Sequence, residues 1–64
     1  MKVFVVSSLK LTEENLVSEI LKVYKDLNDA KKFVENQEDF INWNDNKVAV
    51  CNDGYYGISE QEIE

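Results

Sequence analysis

The stretch that decides the fold is "EILKVYKDLNDA", Glu19 to Ala30, because a strand-to-helix boundary falls inside it. Asp26-Leu27-Asn28-Asp29 reads as a helix N-terminus, with a capping aspartate and a second acid three positions on. A helix that starts at Leu27 requires a non-helical chain before Asp26. Leu21 and Val23 alternate with Lys22, as a strand would. We therefore expect a strand over Leu16–Lys25 and a helix from Leu27. The competing reading makes Glu13–Lys25 a helix. Val17, Ile20, Leu21, Tyr24 and Leu27 fall at helical spacing, and Thr12 before Glu13 and Glu14 makes a plausible N-terminus.

Downstream, Leu27, Ala30, Phe33, Val34, Phe40 and Ile41 lie mostly on one stripe, with Lys31, Lys32, Glu35 and Glu38 mostly away from it. This spacing predicts a helix that ends near Asn42–Asn44, where "NWNDN" favours turns through side-chain bonds to its own backbone. Upstream, "KVFVVSS" is a near-continuous β-branched and aromatic run, predicting a strand over Lys2–Ser8. At the far end Val48 and Val50 alternate with Ala49 and Cys51. Asp53-Gly54 is the strongest two-residue hairpin signal, because both positions need positive φ, and Tyr55, Tyr56 and Ile58 begin the return strand. The expected fold is a small α+β domain over residues 1–64, a mostly antiparallel β-β-α-β-β sheet with one helix on a face. The alternative order is β-α-α-β-β.

Composition narrows the function classes. At 64 residues the chain is one domain of marginal burial, so a partner or a second copy would help to stabilise it. Its net charge is -6, with no arginine and no histidine. Phosphate binding needs clustered cations, so direct nucleic-acid binding is not expected. No apolar run approaches the roughly 20 residues of a membrane span. A single cysteine and no leader pattern fit a reducing, intracellular setting such as a cytoplasm. After Lys47 no cation follows, while Asp53, Glu60, Glu62 and Glu64 remain.

Chemistry-bearing patterns weaken on inspection. Aligned on Gly54, "AVCNDGYYGISE" puts Glu60 where a calcium loop keeps its bidentate acid. Its first, third and fifth positions hold Ala49, Cys51 and Asp53, and a hard cation does not accept a methyl and a thiol. No metal and no cofactor are expected. Cys51 has no histidine to activate it and reads as a small hydrophobe on a strand. The neighbours Glu13-Glu14 and Glu38-Asp39 read as solvated surface, since adjacent residues do not face each other. Only two glycines exist, Gly54 and Gly57, with no phosphate loop around them. Trp43, Tyr55 and Tyr56 are the remaining conspicuous side chains. Tyr55 and Tyr56 must point to opposite faces of a strand, leaving one outward.

The opening "MKVFVV", the central "ILKVYKDLNDAKKFVE" and the closing "EIE" resemble small uncharacterised phage and prophage accessory proteins. The matching positions are Val23, Tyr24, Asp26, Ala30, Lys31 and Phe33. The resemblance covers a little over half the chain and carries no site residue across. It implies an accessory protein of a mobile element. The polar connection "SSLKLTEEN" departs from the tight hairpins of that pattern.

Together these readings predict a non-enzymatic, acidic protein-binding module. It would inhibit a host factor or defence enzyme, with imitation of nucleic acid before a basic protein surface as the expected route. The candidate contacts are Asp53, Tyr55, Tyr56, Glu60, Glu62, Glu64 and Trp43. The alternative is a structural or assembly protein that self-associates as a homodimer, with Trp43 and the exposed aromatics in the interface.

Overall fold

A computed structural model describes residues 1–63; Glu64, one of the candidate contacts, lies outside the described residues. The chain runs β1 (Lys2–Leu11), β2 (Leu16–Tyr24), α1 (Leu27–Glu35), β3 (Phe40–Trp43), β4 (Val48–Cys51) and β5 (Gly54–Glu62). The strands form one antiparallel sheet in the order β2-β1-β5-β4-β3. The single helix packs on one face of it, so the expected α+β class holds.

The boundary at Asp26 is where the capping signal places it. Its side chain accepts the Asn28 N–H at 2.7 Å, and its own carbonyl accepts the first helical bond from Ala30. Leu16–Tyr24 is a strand, and the helical alternative for Glu13–Lys25 is not adopted. The connection "SSLKLTEEN" is also shorter than it reads. β1 extends to Leu11, past the expected end at Ser8. The turn holds only Thr12–Asn15, where the Thr12 hydroxyl both donates to the Asn15 carbonyl and accepts its N–H.

Two expectations are corrected. First, the helix stops at Glu35, not near Asn42–Asn44, and Phe40–Trp43 is a strand. Val34 is the last buried helical position, and the next two on its stripe are Gln37 and Glu38. With no apolar group there, continuing the helix would bury nothing. The end is instead closed by Gln37, whose side-chain amide donates to the Phe33 carbonyl at 2.9 Å. Second, the hairpin turns one residue earlier than Asp53-Gly54. Cys51 pairs with Gly54, so Asn52 and Asp53 are the central residues, and neither has positive φ. Gly54 is needed for a different reason. Its φ is 159°, and a Cβ there would lie 1.9 Å from the Leu9 carbonyl oxygen of β1.

The core lies between the helix and the sheet. Val6 of β1 and Ala30 and Val34 of α1 are fully buried, with Ala49, Cys51, Tyr56 and Ile58 beside them. Burying a valine side chain contributes about 1.5–3 kcal/mol. Tyr24, at the end of β2, meets Phe33 of α1 with ring centres 5.9 Å apart.

Candidate functional site

Two regions concentrate chemistry, one on each face of the sheet. On the helix side Lys10 reaches inward from β1. Its Nζ donates to Asp39 Oδ2, to Cys51 Sγ at 3.3 Å and to Tyr56 OH at 3.3 Å, and it lies 4.6 Å from the Tyr56 ring centre. The Tyr56 hydroxyl donates to the other Asp39 oxygen at 2.5 Å. The cluster joins β1, β4, β5 and the segment before β3. Burial works against the Lys10 charge, but the bonds to Asp39, Cys51 and Tyr56 outweigh it and raise its pKa above the ordinary lysine value. The Lys10 and Tyr56 hydrogen bonds hold the Asp39 carboxyl below its usual range. Burial, then the bond to Asp39, pushes the Tyr56 hydroxyl up.

The expectation that Glu38-Asp39 is solvated surface is therefore corrected for Asp39, whose side chain is only about a quarter exposed. Its partner lies 29 residues away in sequence, so no local pattern reveals the pair. Chemically the cluster is closed on itself. The Lys10 ammonium and the Tyr56 hydroxyl meet their acceptors within it, Cys51 is buried, and Tyr56 is 5 % exposed. It acts as a polar clamp at one end of the core.

The opposite face is open. Strand register assigns the side chains of β1, β2 and β5 to faces, the bulged Leu21 of β2 excepted. Their six charged residues, Lys2, Lys10, Glu19, Lys22, Glu60 and Glu62, all fall on the helix side. The sheet face turned away from the helix carries none. Instead it exposes Leu11, Leu16, Ile20, Val23 and Tyr55, with Ile20 70 % accessible. A solvent-facing antiparallel sheet normally alternates apolar-in with polar-out, and 31% of this chain is charged. At the centre of this face lies a depression of about 490 Å³, lined by Ser7, Leu9, Ser18, Val48, Tyr55 and Gly57 among others.

The candidate contacts do not converge. Tyr55 is on the open face; Tyr56 is core and belongs to the Lys10 clamp. Trp43 sits on the helix side, where it donates its indole N–H to Glu35 at 2.7 Å and meets the Phe40 ring edge-on at 5.7 Å. Asp53 is in the β4–β5 turn, whereas Glu60 and Glu62 are at the other end of β5. Those two acids have nearby cations. Lys2 lies 3.7 Å from Glu60, and the Met1 amino group 3.1 Å from Glu62.

Among the described residues no group of acids, cysteines or histidines is placed to hold a metal ion, and no helix is long and apolar enough to cross a membrane. No family model, no curated protein and no solved structure matches the chain.

Proposed function

We propose that this chain is a non-catalytic protein-binding module that works through the charge-free face of its sheet. One observation carries the reading. Every charged side chain of the three long strands lies on the helix side, and the exposed side chains opposite are aliphatic or aromatic apart from the uncharged Ser18, Ser59 and Gln61. An apolar surface of that kind on a small domain marks an interaction site. The closed Lys10 clamp supports the non-catalytic part, because its polar atoms are committed to one another. The occupant of that face is a protein surface, either a host factor or defence enzyme, as the resemblance to phage accessory proteins implies, or a second copy of the chain.

The acidic reading, in which Asp53, Glu60 and Glu62 imitate a phosphate backbone, has less geometric support. These carboxylates sit at opposite ends of β5, and two of them already face cations.

Photo-crosslinking separates the two. A photoreactive residue at Ile20 or Leu11 should give adducts in host cells, while the same group at Lys32 or Glu60 should give few. Adducts arising mainly from Glu60 would overturn the reading in favour of the acidic strip.

A further inference from the structure

We infer that the occupant of the open face is a second copy of this chain, packed sheet against sheet about a two-fold axis that runs along the strands. The inference rests on the binding reading above and names the partner. Its warrant is the order of large and small side chains across the face. One row across the strands reads Ile20 on β2, Ser7 on β1, Gly57 on β5 and Val48 on β4. The next reads Ser18, Leu9, Tyr55 and Val50 on the same four strands. The first row is large at β2 and small over β1 and β5; the second is small at β2 and large over β1 and β5.

A two-fold axis between β2 and the centre of the sheet places each pattern over its complement. Ile20 of one copy drops into the Ser7–Gly57 dip of the other, and Leu9 and Tyr55 close over Ser18. Facing sheets pack about 10 Å apart with interdigitated side chains, and this alternation suits that spacing. Gly57 leaves the dip open, since even a Cβ there would only touch Ser7 Oγ at 3.8 Å.

Charge points to the same occupant. Two copies with net charge -6 repel, so an isologous contact needs a patch without like charges at its centre. The open face is that patch, and the charged residues of the long strands point away from it on both copies. Area is sufficient as well. Three strands about 30 Å long, spaced about 4.8 Å apart, present roughly 400–600 Å² per copy, so a pair buries about 1,000 Å², the lower limit of specific interfaces.

The test is sedimentation of the intact chain with two variants. The native protein should sediment at twice its 7.4 kDa chain mass at micromolar concentration, and high salt should not dissociate it. Ile20→Lys places a charge in the dip. Gly57→Ile fills the dip with a side chain that a strand accepts readily. Each should weaken the dimer by about ten-fold or more, with the far-ultraviolet spectrum unchanged. A monomer at about 100 µM, a concentration at which even a weak micromolar dimer would be populated, would overturn the inference. So would a dimer indifferent to both substitutions. A monomer that still crosslinks to a different protein from Ile20 would leave the binding reading standing without a second copy. Crosslinks confined to helix-side positions would remove both.

Discussion

The two faces of the sheet are made by the same three long strands, residue alternating with residue, yet they solve different problems. The helix side mixes everything. Val6, Tyr56 and Ile58 are buried there, and the charged residues sit around them, one pair drawn partly inside as the Lys10–Asp39 clamp. The other side has neither a covering helix nor a charge. The helix-side charges are used at the periphery and at one polar junction, where hydrogen bonds compensate the burial. The open side omits them. The comparison teaches that exposure within one domain does not equal surface character. Ile20 is 70 % exposed, yet its cross-strand and same-face neighbours carry no charge.

The contrast can be broken experimentally at adjacent residues. Tyr56→Ala removes a core ring and a member of the clamp, and should cost about 3–5 kcal/mol of unfolding free energy in a denaturant titration. A loss below about 1 kcal/mol would mean the helix side is not the core. Next in size is Gly54→Ala. The new methyl meets the Leu9 carbonyl, so β1 and β5 must part locally, at about 2–4 kcal/mol.

Asp39→Asn should cost about 1–3 kcal/mol, because Lys10 loses a charged acceptor in a partly buried place. Its pH signature is more specific than its size. The folded-state pKa of Asp39 is depressed, so its contribution is present above the unfolded value of about 4 and is lost as pH falls through the folded one. Lys10 and Tyr56 are raised, so theirs is full below about 10 and is lost as pH rises through their folded values. Stability should therefore plateau between about 4 and 10, and Asp39→Asn should flatten the acid limb. An unchanged acid limb would assign it to other carboxylates.

Asp26→Ala removes the helix cap and should cost about 1 kcal/mol, read from the same titration. The smallest effect is expected from Tyr55→Ala, below about 0.5 kcal/mol on the dissociated chain, although it neighbours Tyr56. A larger loss would show that Tyr55 already packs within one chain.

Local signals in the sequence locate some of these features well. The Asp26 cap, the apolar run of β1 and the β4–β5 hairpin each announce themselves within a few residues. The end of the helix does not, because Phe40 and Ile41 look like a continuation unless Gln37 and Glu38 are weighed as a break in the stripe. The clamp is invisible for another reason: Lys10, Asp39 and Tyr56 meet only when β1, β5 and the entry to β3 are assembled. The open face is concealed by a single irregularity. Val6 pairs with Lys22 but Ser7 with Ile20, which leaves Leu21 as an extra residue in β2. Counting by twos along β2 puts Glu19 and Lys22 on opposite faces; the bulge returns them to the same one. Without that shift an alternation reading would scatter charge over both sides.

The sheet order has a consequence for synthesis. β1 is paired along its length with β5, the first strand with the last, and Lys2 sits opposite Glu62. Such distant pairing places this small domain toward the slow end of two-state folders, at roughly milliseconds to seconds. While the chain is growing on a ribosome, β1 and β2 can form only a two-stranded ribbon, which is marginal in water. Cooperative closure waits until β5 has emerged, so a nascent chain stalled before Gly54 should remain sensitive to protease.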